Sequence, residues 1–160
     1  MITQSRIKEI LNYNEETGVF TWKIRCGCRG IVGTIAGSID REGYVKIGVL
    51  GGNYLAHRIA ILYVYGAFPE FDTDHINGVK GDNRLSNLRC ATRSENKQNI
   101  RKPQSDNKTG VLGVSKKRGR WIAQIKVAGV KKHLGVFDTP ELAHSAYLSA
   151  KRIHHPMCTI

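Results

Sequence analysis

The sequence predicts an α+β chain. Short helices and strand pairs fill the first hundred residues, and a strand–strand–strand–helix unit follows. Three observations predict it. Apolar residues recur at helical spacing only over short windows, at Ile7, Ile10 and Leu11 and again at Leu55, Ile59 and Leu62. Trp121, Ala123, Ile125 and Val127 alternate with Ile122, Gln124 and Lys126, the period of two that marks a half-buried strand. Thr139-Pro140-Glu141 then opens a helix, with Thr139 as cap and Pro140 at the first helical position.

The elements follow in order. Thr3 caps a first short helix, and Asn14-Glu15-Glu16-Thr17-Gly18 is a turn cluster before a strand at Val19-Phe20-Thr21-Trp22. Thr34–Ile39 and Tyr44–Leu50 suggest a strand pair around Asp40-Arg41-Glu42-Gly43, ended by Gly51-Gly52-Asn53. Residues 54–65 read as a buried helix stopped by Gly66, with Tyr63 and Tyr65 as packing aromatics. Residues 72–100 are polar, rich in Asn and Asp and poor in core formers, so they serve another purpose than packing. Residues 101–109 form a polar connector around Pro103. Beyond it, Val111–Lys116 and Lys131–Phe137 flank the alternating strand, with turns at Arg118-Gly119 and Ala128-Gly129. Leu142, Ala146, Ala150 and Ile153 give the last helix an apolar stripe for one face of the sheet, leaving the other face free.

Charge narrows the function. The 160 residues carry 25 Lys and Arg against 13 Asp and Glu, a net of +12. That balance disfavours an acidic-substrate mimic or a neutral metabolic enzyme and favours a polyanionic partner, nucleic acid or an anionic surface. With 41% apolar residues the chain builds a core and is no disordered basic tail. Residues 81–160 hold sixteen basic and five acidic side chains, so nearly all the excess lies in the second half. Between Asn107 and Phe137 stand eight Lys or Arg and no acid, whereas a face needed only for solubility mixes signs. No apolar run approaches a membrane span, and the opening residues lack the apolar stretch of a secretory signal. The expectation is a cytoplasmic protein. Cys26 and Cys28 form a C-x-C, with Cys90 and Cys158 isolated. Without a second knuckle these read as ordinary reduced thiols rather than a zinc site.

Asp74 and His75 stand side by side, and Asn77-Gly78 opens a loop running through Gly81-Asp82-Asn83. Thr92-Arg93-Ser94-Glu95 matches the capping box and predicts a helix from Arg93, with Asn96 one turn in. Asn77 and Asn83 read as turn formers, where Asn is common. His57 and His133 read as structural or backbone-contacting, and His154-His155 as a solvated end.

The set Asp74-His75-Ile76-Asn77-Gly78, then Asp82-Asn83-Arg84-Leu85-Ser86-Asn87-Leu88-Arg89, then Glu95-Asn96 resembles the HNH endonuclease family, in the variant whose last histidine is replaced by asparagine. His57-Arg58 and Phe68-Pro69-Glu70 also look like phage members of that family. The resemblance covers roughly residues 1–100. It implies a ββα-metal core with His75 as general base, Asp74 and Asn96 holding one divalent ion, Mg²⁺ or Mn²⁺, and Asn87 bracing the loop and orienting the histidine. The chemistry agrees. Phosphodiester hydrolysis needs a base for water, which a neutral histidine supplies, and charge neutralisation, which a hard divalent ion supplies through few protein oxygens.

Residues 108–155 resemble the APETALA-type DNA-binding domain of plant ethylene-response factors, which also occurs appended to phage homing endonucleases. The matching text includes Thr109-Gly110-Val111, Gly119-Arg120-Trp121-Ile122-Ala123-Gln124-Ile125, Leu134-Gly135-Val136-Phe137-Asp138-Thr139-Pro140-Glu141-Leu142-Ala143 and Ala146-Tyr147. The resemblance implies a three-stranded sheet that enters the major groove with the helix behind it. Lys116, Lys117, Arg118, Arg120, Trp121, Lys126, Lys131 and Lys132 are the contact candidates, with Trp121 equally open to a core position.

The expected organisation is a nuclease domain over 1–102 with its motif at 72–100, a connector at 103–107 and a DNA-binding domain over 108–160. The expected function is a metal-dependent, site-specific homing endonuclease of phage type. It would act on double-stranded DNA as a monomer, without a small-molecule cofactor. A non-catalytic DNA-binding regulator and a basic RNA-binding protein are the alternatives. The regulator is disfavoured by the intact Asp74, His75 and Asn96, and the RNA binder by the single aromatic, Trp121, on the candidate sheet.

Overall fold

The computed structural model describes residues 2–28 and 30–160. The chain divides into two compact units, Met1–Thr92 and Arg93–Ile160.

The first unit begins with α1, Gln4–Ile10, whose cap Thr3 accepts a hydrogen bond from the Arg6 amide as expected. β1 (Leu11–Tyr13) and β2 (Phe20–Trp22) pair antiparallel across the Asn14–Gly18 turn. β3 (Ser38–Ile39), β4 (Val45–Val49) and β5 (Gly52–Leu55) form a second sheet in that order. The turn before β5 is Leu50-Gly51, both in the left-handed region at φ 53° and 75°. Gly52-Asn53 therefore starts a third strand instead of ending the pair, a difference from the expectation. α2, Ala56–Tyr65, buries Ile59, Ala60 and Leu62 and is stopped by Gly66 at φ 86°, as the sequence predicts. A side chain other than glycine is strained there.

The core of this unit gathers Ile7, Ile10, Leu11, Phe20, Trp22, Ile47, Val49, Ile59 and Leu62. Tyr13 stacks on Phe20 at 4.5 Å, and Tyr63 meets both rings edge-on. Tyr65, expected to pack, is 67% exposed, because its place at the end of α2 turns it from the core. β6 (Asp72–His75) and β7 (Leu88–Ala91) close the unit as an antiparallel hairpin, with a 3₁₀ turn at Leu85–Asn87 leading into β7.

The second unit opens with α3, Arg93–Gln98, at the position that the capping box predicts. Residues 99–113, which include the expected connector, form no helix or strand. Part of this stretch is nonetheless tied down. The buried Lys151 ammonium donates to the Ile100 carbonyl, the Arg101 guanidinium to Thr159 Oγ1, and Thr159 Oγ1 to Asn99 Oδ1 at 2.9 Å.

β8 (Val114–Lys117), β9 (Arg120–Val127) and β10 (Val130–Phe137) form an antiparallel sheet with β9 central. α4, Pro140–His154, starts at Thr139, whose hydroxyl accepts from the Leu142 amide. Val114, Ala123 and Ile125 pack against Ala143, Tyr147 and Ala150. The buried stripe of α4 is thus 143, 147 and 150. Leu142 and Ile153, expected within it, are 56% and 77% exposed. A lysine, Lys151, takes the buried place beside Ala150 because its ammonium finds the Ile100 carbonyl. Gly113 lies at φ 75° against the Tyr147 ring, where a Cβ would sit 2.0 Å from Cδ2. Among the described residues no helix is long and apolar enough to cross a membrane.

Candidate active site

Asp74 and His75 are the last two residues of β6. Strand alternation sends them to opposite faces, and register sets Asp74 across from Arg89 and His75 across from Leu88. Arg89 grips Asp74 from the partner strand, with Nε at 3.0 Å and a terminal nitrogen at 2.7 Å. Both of these bonds fall on Oδ2. This pairing is absent from the sequence reading. A basic residue fifteen positions away is visible as opposite only once the hairpin register is known.

His75 is 4% exposed. Its Nε2 lies 3.2 Å from Asn83 Oδ1. The His57 ring meets it edge-on at 5.0 Å and the Tyr44 ring lies tilted at 6.1 Å, with the Lys80 ammonium over the tyrosine at 4.4 Å from its centre. Burial lowers the imidazole's affinity for a proton, Lys80 adds to this, and the Asn83 bond, Asp74 and Asp82 oppose it. The ring is therefore held neutral below its ordinary range, the form that accepts a proton.

Asn87 braces the loop between the two strands. Its Oδ1 accepts the Asn77 amide at 2.9 Å, its Nδ2 donates to the Asp82 carbonyl at 2.8 Å, and its own carbonyl accepts the Ile76 amide at 2.9 Å. The family resemblance implies that Asn87 braces the loop and orients the histidine; the bracing is seen, and a hydrogen bond on the imidazole comes from Asn83. Asn77 behaves as the turn former expected, its Oδ1 taking the Val79 amide at 2.8 Å and its Nδ2 reaching Asp82 at 2.7 Å. Asp82, held by the Arg84 guanidinium and by Asn77, has its carboxyl pushed down to about 2.

Asn83 corrects the turn reading. It is 2% exposed and faces the histidine, so its side chain does more than form a turn. No local signal distinguishes it from Asn77, since both sit in a Gly- and Asp-rich loop. His57 takes the structural one of its two expected roles. Its Nδ1 is buried without a hydrogen-bond partner among the described residues, and burial with repulsion from His75 and Arg58 pushes the ring down to about 4. His57 is neutral packing for His75.

Asn96 lies on α3, in the second unit. Of the expected metal-holding pair, Asp74 offers a carboxylate oxygen and Asn96 an amide oxygen, both hard donors of the kind that Mg²⁺ and Mn²⁺ prefer. Among the described residues no group of three or more His, Cys, Asp or Glu side chains is gathered to hold a metal. The donor chemistry fits an ion bound through few protein oxygens.

In the second unit the register sorts the contact candidates. Residues paired across strands share a face. Lys117 pairs with Arg120 and Lys131 with Lys126, and the alternation of β9 puts all four opposite the helix-facing Ala123 and Ile125. Arg118 is the turn residue between β8 and β9, at φ 50°. Trp121 is half-buried against the core on the helix side, with the Lys116 ammonium 4.9 Å from its ring centre. This decides its two readings in favour of packing. Lys132 pairs with buried Ile125 and so shares the helix-side register, though it is exposed at the sheet edge. His133 is exposed, and His155, expected to be solvated, sits 2.9 Å from the Lys126 carbonyl through Nε2.

Among curated proteins none matches this chain. A solved structure titled "DNA binding and cleavage by the HNH homing endonuclease I-HmuI" is similar at 20% identity, covering 91% of this chain and 87% of its own, with a TM-score of 0.45. Residues 54–98 match the model of the HNH endonuclease family, a span that holds Asp74, His75, Asn83, Asn87 and Asn96. The Asp74–His75 hairpin thus lies inside the segment that is similar to the HNH endonuclease family.

Proposed function

We propose that the chain is a metal-dependent, site-specific DNA endonuclease of the homing type. The observation that carries this reading is a buried, neutral His75 next to Asp74 at the end of β6, inside the span that matches the HNH family. In this reading His75 takes a proton from the attacking water, a contribution of about 10²–10⁴-fold in rate. Asp74, gripped by Arg89, and Asn96 would hold the divalent ion, Mg²⁺ or Mn²⁺. The ion, when bound, neutralises charge on the phosphate and the departing oxygen. Asn87 keeps the loop closed beneath the histidine.

The second unit supplies affinity for double-stranded DNA through the sheet face opposite α4. Support comes from two like-charged cross-strand pairs on that face, Lys117 with Arg120 and Lys126 with Lys131. Like charges directly opposite one another weaken a sheet. A face that keeps two such pairs serves a polyanion that repays the repulsion. Arg reads guanine through paired bonds and Lys mainly meets phosphates.

The test is incubation of the full chain with supercoiled plasmid bearing its native genomic neighbourhood, with and without Mg²⁺ or Mn²⁺. Metal-dependent nicked or linear product is expected from the wild type. His75→Ala should bind the same DNA and leave it supercoiled. Binding without cleavage by the wild type at every metal concentration would leave a DNA-binding regulator in place of a nuclease.

A further inference from the structure

We propose that Lys80 is a substrate-binding residue of the same site. Its ammonium, seated on the Tyr44 ring, holds a phosphate of the strand being cut, at or adjacent to the bond that breaks. The inference deepens the nuclease reading and rests on it for the place of the cut, though not for the phosphate contact itself.

Two braced loops of the first unit present this lysine. Lys80 lies in the loop between β6 and β7, and that loop is tied by its own bonds. The Gly78 amide donates to the His75 carbonyl at 2.8 Å and the Asp82 amide to the Val79 carbonyl at 3.0 Å. The Asn77 side chain links the Val79 amide to the Asp82 carboxylate. The turn between β3 and β4 comes up against it. Asp40 Oδ1 accepts the Glu42 and Tyr44 amides at 2.9 and 3.0 Å, and a Cβ on Gly43 would lie 3.9 Å from Lys80 Cβ. The turn so built sets the Tyr44 ring under the Lys80 ammonium, 4.4 Å from the ring centre. The centre of the His75 ring is 6.1 Å from that of the same tyrosine. Lys80 and His75 therefore border one aromatic ring.

The charge on Lys80 is held in place but not neutralised. An aromatic face attracts a cation and orders it without cancelling its charge. None of the ion pairs among the described residues uses Lys80. Asp40 and Asp82, in the same two loops, are taken by Lys46 at 3.0 Å and Arg84 at 2.6 Å. An ammonium carries three N–H donors and no acceptor. On a half-buried side chain these suit a partner that brings negative charge from outside. A phosphodiester does so through its two non-bridging oxygens. Phosphate contacts fix the register of a protein on DNA. A phosphate held beside the general base thus fixes which bond meets His75.

The experiment pairs a neutral side chain with a neutral phosphate. Fluorescence anisotropy of the full chain, without added metal, gives affinities for duplexes from its native genomic neighbourhood. Each duplex carries a single methylphosphonate in place of one phosphate, scanned along both strands. Cleavage of the unmodified duplex with Mg²⁺ or Mn²⁺ maps the nick. On unmodified DNA, Lys80→Gln should flatten the slope of log K against log salt by about 0.9. Between 50 and 200 mM salt its affinity should therefore fall about threefold to fourfold less than that of the wild type. Lys80→Arg should keep the wild-type slope. At a phosphate at or adjacent to the nick, the methylphosphonate should weaken the wild type and leave Lys80→Gln unaffected. A purely structural role would weaken Lys80→Gln at every phosphate alike. An unchanged slope in Lys80→Gln would overturn the proposal. So would neutral linkages that cost both proteins equally at every position, or a coupled phosphate remote from the nick. A wild type that binds no DNA would overturn both this proposal and the nuclease reading. If the wild type cuts no DNA while a coupled phosphate is found, the nuclease reading fails and Lys80 stands as a DNA contact.

Discussion

If the four basic residues on the sheet face opposite α4 meet DNA as proposed, their loss should move DNA binding and stability in opposite directions. The perturbation is Lys117→Gln, Arg120→Gln, Lys126→Gln and Lys131→Gln together, in the full chain. If each side chain meets one phosphate, their loss should flatten the slope of log K against log salt by about 3.6, at roughly 0.9 per contact. Between 50 and 200 mM salt that is a difference of about a hundredfold in how steeply affinity falls. The same four substitutions remove two like-charged cross-strand pairs, each costing about 0.2–1 kcal/mol. Removing them should raise the melting temperature of the second unit by a few degrees, at about 4–8 °C per kcal/mol for a unit of this size. Arg120 also pairs with Asp138 at 3.2 Å, but both side chains are exposed and such a pair contributes little. Fluorescence anisotropy on a labelled duplex across a salt series gives the slope, and calorimetry gives the melting temperature. The control changes Lys116 and Lys132, which share the helix-side register, to Gln. A control that flattens the slope as much as the quadruple variant would refute the assignment of the face. So would a quadruple variant with an unchanged slope. Truncation after Arg101 is the poorer test, because it strips Ile100 and Asn99 of their partners Lys151 and Thr159.

Asp74→Ala should cripple metal-supported turnover more than Asn96→Ala, since a carboxylate brings a charge to the ion and an amide only a dipole. Titration of Mg²⁺ or Mn²⁺ against both variants checks the order, and unchanged metal dependence in Asp74→Ala would remove it from the site. The acid limb of the single-turnover rate should have its midpoint below the ordinary histidine value of about 6.5, because burial lowers the His75 pKa; a midpoint above that value would count against the general-base role. His57, pushed down to about 4, excludes a proton that the unfolded chain accepts below about 6.5. The first unit is therefore fully stable on this account above about 6.5 and should lose about 3 kcal/mol as pH falls towards 4, a loss that His57→Phe should abolish in urea titrations. Gly113→Ala should destabilise the second unit by about 2 kcal/mol or more, from overpacking against Tyr147 and a left-handed backbone; an unchanged melting temperature would show that the loop moves aside freely.

Local rules were enough for the punctuation of this chain. Thr3 and Thr139 cap helices with their own hydroxyls, Thr92 and Glu95 mark the start of α3, and Gly66 ends α2. Each is a matter of a few neighbouring residues and their backbone, so it survives whatever the rest of the fold does. The alternation of β9 and the order of Asp74, His75, Asn87 and Asn96 were legible for the same reason. What needed the tertiary structure was every choice between equivalent residues. Leu142 and Ile153 are as apolar as a buried stripe requires, yet the sheet covers Ala143, Tyr147 and Ala150 instead. Trp121 suited a DNA contact or a core until its pairing put it on the side of Ala123 and Ile125. Asn77 and Asn83 look alike in sequence, and only the return of the loop to β6 brings one of them, and not the other, to His75 Nε2. The Arg89 grip on Asp74 waits on the same hairpin register. These are pairings across many residues, decided by which surfaces the fold covers and which polar atoms it leaves needing a partner, and no local propensity encodes them.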